Sequence, residues 1–543
     1  MQRHPVEAWI DRNILELGRE LRLSYLPPLM VYLAYGIQGL TAIVGTFFVK
    51  DYLGLSAEFL AALGFWAGIP WALKMPVGHL VDLIWRWKAL LVYLGAALIA
   101  ASLGIMVALI GYTDAMRAAA PAEHWFVLAA LLAPVGYMLQ DAVADAMTVE
   151  AVPRVDEQGR PYDAAARKLM HTTMQTLGRV AIIGGFILVA AANVVLFSGT
   201  EQLPQAERAR LYAEIYAWGL AIPAISVLGV ALHAVLRARH AAALRRHGRS
   251  EAEIAQLLAA QGEEKTRPNW WVLGGSLAFV AITLAVGLGG LAYGQELIFA
   301  GSAAVILFLL WRLARELAPE AREVLVATAL VIFVYRSMPG PGAGYAWWEI
   351  DALGFDEAFL AKLSLIASFL TLAGMFVFRR FMAERSIGTI IVVLTVAGAV
   401  LTLPNIGLVY GLHEWTARYS GGVVDARFIA VIDTALESPL GQIAMIPMLA
   451  WIANSAPANL KATYFAVMAS FSNLALSAAQ LGTKYLNQAF LVTREVRDRA
   501  SGALRVPADY SEVGVLLVAA TLAAFLVPLA AVAALRLLKL RTA

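Results

Sequence analysis

The sequence predicts an all-α polytopic membrane protein, built as two parallel six-helix halves with an extra two-helix hairpin between them. Three observations predict this fold class. Hydrophobic residues make up 60% of the 543 positions, charged residues only 15%, and the mean hydropathy is +0.69. Apolar segments near the ~20 residues that cross a bilayer recur along the whole chain. The two halves of the sequence also repeat each other.

Counting the apolar segments predicts about fourteen transmembrane helices. Residues 1–23 precede them, mix acids with bases, and predict an amphipathic helix on the cytoplasmic membrane surface. With that helix inside, most of the 42 Lys and Arg residues fall in cytoplasmic segments, so the positive-inside rule places both termini in the cytoplasm. The absence of cysteine excludes disulfides and thiolate metal sites.

The charge distribution divides the remaining chain into four parts. Residues 24–237 form the N-terminal half, and the hydrophilic segment 238–269 is a cytoplasmic linker. Residues 270–318 hold the extra hairpin, which we expect to be peripheral because its apolar segments carry almost no charge. Residues 319–543 form the C-terminal half.

The internal repeat is seen most clearly at an offset of 300 residues. DYLGLSAEFLAAL, beginning at Asp51, aligns without a gap with DALGFDEAFLAKL, beginning at Asp351. A second similarity between the halves pairs APVG with SPLG, each at the fourth span of its half. Two parallel six-helix halves resemble the plan of the major facilitator superfamily.

A short loop after the second span supports this resemblance. The stretch GHLVDLIWRWK is similar to the cytoplasmic loop signature of the superfamily, although Leu83 replaces an expected base. The resemblance implies a gating loop in which a glycine permits a tight exit, an aspartate faces a neighbouring helix end, and bases anchor the loop at the membrane surface. These residues are Gly78, Asp82, Arg86 and Lys88.

Two longer stretches resemble a narrower family. QDAVADAMTVE is similar to the fourth-span motif of the folate-biopterin transporter family, in which two aspartates separated by three residues precede Val-Glu. Residues 446–482 resemble the tenth and eleventh spans of that family, with Lys461 and Ala462 departing from its usual pair. The muropeptide permeases also have an extra hairpin and a similar fourth span, so they remain an alternative. Either resemblance implies a transporter rather than an enzyme.

The two aspartates of the fourth span lie at mid-membrane depth. Their spacing places Asp141 and Asp145 on one helix face, roughly 13 Å and roughly 7 Å from the inner end of the span. Lys74 and Arg179 fall at a similar depth, which predicts a network of two acids and two bases. Charges there cost ~3 kcal/mol or more unless they are paired or functional. The network is therefore either purely structural or exchanges a proton during transport.

The second half places Arg336 at the corresponding depth, where its repeat has Gly36. The sequence PGPGAG follows at once, and proline and glycine predict a broken helix there. Broken helices at mid-membrane mark transporter sites because freed backbone groups can bind substrate. An arginine fork suits a carboxylate or a pterin edge, while a kink beside a structural arginine is the alternative.

Other polar residues of the spans are weaker candidates. Gln38, Gln175 and Asn473 are either substrate contacts or interhelical hydrogen bonds, and Tyr35 is a candidate stacking surface. Asp433 and Glu437 are expected at the outer membrane interface.

The sequence thus predicts a secondary active transporter, proton-coupled, for folate, pterin or a related small organic anion. A muropeptide or drug permease is the alternative, and a non-transporting membrane protein comes last. No phosphate-binding loop or metal-ligand cluster is present, so we expect no cofactor, no ATP and no metal. The expected partners are the substrate, protons and the bilayer of the cytoplasmic (inner) membrane. We expect a monomer and no nucleic-acid partner.

Overall fold

The computed structural model describes residues 21–542, apart from positions 54, 73, 154, 156–159, 161, 259–267, 269, 289–292, 316, 442, 445–447, 449–460 and 498–503. It is a bundle of α-helices. The N-terminal half contains α1 Leu26–Gly36, α2 Ala42–Tyr52, α3 Ala57–Ala72, α4 Lys74–Leu83, α5 Ala89–Gly111, α6 Thr113–Ala119, α7 Ala122–Ala151, α8 Ala164–Leu196, α9 Gln205–Gly219 and α10 Ala221–Arg246.

The linker, hairpin and C-terminal half continue the bundle. The linker contains α11 Glu251–Leu258, and the hairpin consists of α12 Trp270–Leu288 and α13 Gly294–Ala314. The C-terminal half contains α14 Pro319–Arg336, α15 Ala343–Leu353, α16 Glu357–Val377, α17 Arg379–Glu384, α18 Ile387–Val409, α19 Leu412–Tyr419, α20 Ala426–Glu437, α21 Lys461–Ala489 and α22 Val513–Leu537. Two short antiparallel strands, β1 Val496–Arg497 and β2 Leu504–Val506, precede α22 in a loop for which the sequence indicated no strand.

Ten helical segments of the described residues are long and apolar enough to cross a membrane. The expected count of about fourteen is not confirmed. Two of the other expected spans are interrupted: one between α14 and α15, and one after α20, where the 3-10 turn Ser438–Leu440 follows. The remaining two are the helices α12 and α21, which are not among the ten.

The tightest helix pair of the N-terminal half is α5 against α7. A Cβ atom at Gly95 would lie 2.6 Å from the Gly136 carbonyl oxygen, and one at Gly136 would lie 2.6 Å from the Gly95 carbonyl oxygen. Only glycine allows two backbones to approach this closely. The pair holds α7, and with it both aspartates, in a fixed position.

The two halves meet along two seams, α3 against α21 and α8 against α16. Side-chain bonds join the halves at one end of the bundle. Lys50 Nζ lies 2.5 Å from Asp351 Oδ1, the Tyr212 hydroxyl donates to Glu357 Oε1, and Gln488 Nε2 donates to Glu58 Oε1 at 2.6 Å. We call these six residues the polar closure. Each bond joins a residue of the N-terminal half to one of the C-terminal half, so the halves are closed against each other at that end.

The extra hairpin lies against the α3–α21 seam, with most of its described large apolar side chains exposed. Helix α13 packs along α21, and α12 touches α4. Gln295 Nε2 donates to the Ala62 carbonyl oxygen at 3.3 Å, and Lys484 Nζ donates to Glu296 Oε1 at 2.9 Å. The hairpin therefore bonds to both halves through the two polar residues at the start of α13.

Candidate functional site

The centre of the N-terminal half holds a three-residue ion-pair cluster. Lys74 begins α4, and its Nζ lies 2.5 Å from Asp141 Oδ2 and 2.8 Å from Asp145 Oδ2. Both aspartates project from the same face of α7, as residues four apart on a helix do. One ammonium group therefore serves two carboxylates, which leaves the cluster itself with one negative charge.

Two further side chains act on this cluster. The Tyr32 hydroxyl of α1 donates to Asp145 Oδ1 at 2.7 Å. Arg179 of α8 acts electrostatically on both aspartates, although no ion pair within 4 Å joins it to a described residue. Sequence reasoning named Tyr35 and missed Tyr32. The signal that could have found Tyr32 was its place one turn before Tyr35 on the same helix.

The two carboxylates differ in their access to solvent. The side chain of Asp141 is 15% exposed, that of Lys74 20%, and that of Asp145 48%. Asp145 thus opens to solvent while Asp141 is enclosed by its neighbours. The arrangement can move a proton between an enclosed carboxylate and an accessible one through a shared lysine.

A second buried ion pair lies near the end of α7. Lys88 Nζ donates to Glu150 Oε1 at 2.8 Å and lies 4.2 Å from the centre of the Trp85 ring, and His233 Nε2 lies 3.3 Å from Glu150 Oε2. Lys88 is buried, so it does not anchor the loop at the membrane surface as the resemblance implied. Arg86 is exposed and free to take that position.

The remaining residues of the expected gating loop lie on α4. Gly78 and Asp82 are both in the helix Lys74–Leu83, so the turn begins after them, at the 3-10 segment Trp85–Trp87. The Asp82 side chain lies outside the described part of the chain. A Cβ at Gly78 would meet nothing within 4 Å, so no close contact requires glycine there.

The helix break in the second half is present where the prolines and glycines predicted it. Helix α14 ends at Arg336 and α15 begins at Ala343, with Gly342 at a φ of +76°. The freed backbone groups are bonded to α21: Gly340 N–H donates to Thr483 Oγ1 at 3.0 Å, and Asn487 Nδ2 donates to the Pro341 carbonyl oxygen at 3.2 Å. These two backbone groups are therefore bonded within the protein, and substrate binding at the break stays a prediction. The half-buried Arg336 side chain remains the candidate from this segment.

The weaker candidates fall in different places. Tyr35 packs edge-on against Trp71 and Tyr137, with the Gln38 side chain nearby. Asn473 Nδ2 donates to the Trp71 carbonyl oxygen at 3.2 Å and so joins α21 to α3. Asn473 thus forms the interhelical bond that was one of its two interpretations. The side chain of Gln175, on α8, lies outside the described residues.

The comparisons with known proteins agree with this architecture. The chain is 22% identical over 475 residues to a protein named "Folate-biopterin transporter" from Synechocystis sp. (strain ATCC 27184 / PCC 6803 / Kazusa), covering 87% of this chain and 76% of that protein. The model of the BT1 family matches residues 300–538. Residues 300–538 thus match the BT1 family, and most of the chain resembles a folate-biopterin transporter.

A second relative of this chain is named "Putative folate transporter 2", from Plasmodium berghei (strain Anka). It is 25% identical over 163 residues, which are 30% of this chain and 34% of the relative. The family and both relatives are transporters, not enzymes.

Solved structures show the fold of this chain. A POT family transporter in complex with a thioalcohol-conjugated peptide superimposes with a TM-score of 0.59 at 11% identity, covering 96% of each chain. A mutant of the nucleoside transporter NupG superimposes with a TM-score of 0.51 at 12% identity, covering 94% of this chain and 99% of that one. These transporters have the major facilitator type of fold, which confirms the predicted fold class. The protein is a multi-pass membrane protein that resembles transporters of the folate-biopterin family.

Proposed function

We propose that this protein is a proton-coupled secondary active transporter that moves folate, a pterin or a related small organic anion by alternating access. The observation that carries the proposal is the ion-pair cluster in which Lys74 binds both Asp141 and Asp145. A cluster with only a structural role would cost least in a membrane if it were neutral. Neutrality requires one carboxylate for each base. Two carboxylates on one lysine leave a charge that either the nearby Arg179 or a proton can neutralise.

Asp141 is the residue that we propose to carry the proton. It is the more enclosed of the two carboxylates, and burial beside a second carboxylate favours its protonated form while Lys74 opposes it. Protonation would remove one of the two ion pairs of Lys74 and leave the lysine to Asp145 and Tyr32. We propose that this change of pairing among α4, α7 and α1 accompanies the switch of the binding site from one side of the membrane to the other.

The substrate class is proposed from Arg336 and from the names of the relatives. A guanidinium binds a carboxylate through two parallel hydrogen bonds, which a lysine does not. The glutamate part of folate carries carboxylates that such a guanidinium group would bind. We place its pteridine ring towards Gln38, Gln175 and Tyr35, with Arg179 as a second positive charge.

The same proposal includes the membrane in which the protein lies, its orientation and its oligomeric state. We place the protein in the cytoplasmic (inner) membrane with both termini in the cytoplasm, because the basic residues concentrate on that side. In that orientation the polar closure faces the exterior. A monomer contains both halves and so a complete pathway.

The deciding experiment is uptake of labelled folate into proteoliposomes with an imposed proton gradient, repeated after addition of a protonophore. We expect accumulation that collapses with the gradient. Asp141→Asn should abolish gradient-driven accumulation while sparing exchange of internal for external substrate. Asp114→Asn, an exposed acid on α6 of the same half, is the matched control. Full accumulation by the Asp141 variant would refute its coupling role.

The same uptake experiment also tests the identity of the substrate. If folate and simple pterins both fail with correctly folded protein, the fold assignment stands and the proposed substrate class is wrong. Peptides, amino sugars and drugs would then be tested in the same vesicles.

Arg336→Lys tests the substrate contact. The lysine keeps the charge but loses the bidentate fork, so we expect binding of a carboxylate substrate to weaken by about tenfold, or about 1.4 kcal/mol. Binding of labelled folate to purified protein measures this, with Arg418→Lys on the exposed face of α19 as the control. Unchanged affinity would exclude a direct contact.

A further inference from the structure

A buried carboxylate in the C-terminal half has one oxygen without a partner among the described residues. Asp433, on α20, is only 7% exposed. Asn405 Nδ2 of α18 donates to Asp433 Oδ2 at 2.8 Å. Asp433 Oδ1 is buried and makes no hydrogen bond to any described residue. An ionised carboxylate in this state loses hydration at one oxygen and receives nothing in exchange.

Two more carboxyl groups face the same region. Glu437 follows Asp433 by one turn on the same face of α20, and the two act on each other electrostatically. Glu349 of α15 is also within electrostatic range of Asp433. The Tyr345 hydroxyl, one turn before Glu349, lies beside the Glu349 carboxyl without a hydrogen bond of good geometry. Three carboxyl groups from two helices therefore share one environment.

The elements packed around α20 supply few positive charges. Helix α18 has no ionisable residue, and Lys362 of α16 and the His413 and Arg418 side chains of α19 form no ion pair with the three carboxyls. Arg427, on α20 itself, binds Asp356 at 2.6 Å. Arg336 and Glu437 both act on the Tyr335 hydroxyl, and the buried Arg494 guanidinium lies 5.0 Å from the centre of the Trp347 ring of α15. Even two guanidinium groups leave at least one of the three carboxyls without a counter-charge.

The depth of these groups makes uncompensated charge costly. Glu349 lies roughly 6 Å from the end of α15 and Asp433 roughly 10 Å from the start of α20, at ~1.5 Å per residue. Charges within a membrane protein are paired, hydrated or neutralised. Within the described residues no three His, Asp or Glu side chains converge closely enough to hold a metal ion. A proton is the neutralising cation that needs no such geometry.

We propose that Glu349, Asp433 and Glu437 form a second proton-binding site, which holds at least one proton at neutral pH. The site goes beyond the proposed role of Asp141 and does not depend on which substrate is carried. Asp351, two residues after Glu349, belongs to the polar closure, where it binds Lys50. Opening the closure would expose the site from that end.

The test is infrared absorption of protonated carboxyl groups in purified, substrate-free protein, titrated from acid to alkaline pH. The wild type should show a protonated-carboxyl band at neutral pH. Asp433→Asn and Glu349→Gln should each lose part of that band, and either variant suffices if the other fails to fold. Glu414→Gln, an exposed acid on α19 of the same half, should keep the wild-type spectrum.

Three outcomes would overturn the proposal. The first is a wild-type protein without the band at neutral pH. The second is a band that neither variant reduces, since its proton would then lie elsewhere, as on Asp141. The third is a band that appears only when sodium and potassium are replaced by choline, which would mean that a metal cation neutralises the site. None of these results depends on uptake, so the proposal can fail while the transport assignment stands.

Discussion

At the scale of single residues, buried charged groups of the protein occur in two kinds of environment. Lys74 and Lys88 each bind carboxylates that the sequence placed on α7, at distances of 2.5 to 2.8 Å. Asp433 has an amide partner at one oxygen and no hydrogen bond from a described residue at the other. The paired groups hold helices together, whereas the unpaired oxygen is available to a proton.

The Lys88–Glu150 pair yields a stability prediction. Their side chains are 9% and 5% exposed, so Lys88→Met leaves a carboxylate buried without its main partner. We expect a loss of about 3 kcal/mol, seen as a lower melting temperature in detergent. Arg249→Met removes an exposed pair with Glu253 and should leave the melting temperature unchanged. Equal melting temperatures for both variants would contradict the prediction.

The same pair should respond to acid. Glu150 lies just beyond the apolar segment Ala122–Thr148. Burial raises its pKa, but the neighbouring His233 and Lys88 outweigh burial and lower the pKa to about 2. A folded-state pKa below the unfolded value means stability that is present above about pH 4.5 and is lost as the pH falls towards 2. In Lys88→Met this acid dependence, measured as melting temperature against pH, should shrink.

At the scale of helices, close backbone contact decides the geometry of the site. The α5–α7 crossing depends on Gly95 and Gly136, because each carbonyl oxygen occupies the space of a Cβ on the other helix. The helix break after Arg336 depends on α21, whose Thr483 and Asn487 bind the freed backbone groups. Proline and glycine predicted the break from the sequence, but its partner helix could be identified only in the fold.

Two alanine substitutions on the same helix test the crossing. Gly95→Ala forces α5 away from α7 and should destabilise the protein by about 1 to 3 kcal/mol. Gly104→Ala, also on α5, meets nothing within 4 Å and should stabilise the helix by up to about 1 kcal/mol. Thermal unfolding in detergent compares them. Stabilisation by both would show that the helices do not approach as closely as described.

At the scale of the whole molecule, the two halves are closed against each other at one end. Lys50 and Asp351, which form one of these contacts, occupy nearly corresponding positions of the two halves. At the offset of 300 residues, Lys50 aligns with the residue just before Asp351. Tyr212 with Glu357, and Gln488 with Glu58, join the same end. Transport by alternating access requires that these contacts separate in each cycle.

A cysteine pair tests this requirement, because the chain has no cysteine of its own. In Lys50→Cys with Asp351→Cys, a short thiol cross-linker should stop transport, and a cleavable linker should allow recovery on reduction. Each single cysteine variant, treated in the same way, should retain activity. Transport at the full rate by the cross-linked pair would mean that this end of the bundle does not open.

The sequence by itself determined the membrane class, the two-half plan, the helix break and the charge of the fourth span. These follow from hydropathy, repeat spacing and proline chemistry, which act locally along the chain. Only the tertiary structure decided which charges are paired. Lys74 binds Asp141, Lys88 is buried against Glu150, and Asp433 lies beneath the surface, because each depends on the rotation and contacts of helices distant in sequence. Periodicity gives the depth of a residue in a span, but the neighbouring helix decides its partner.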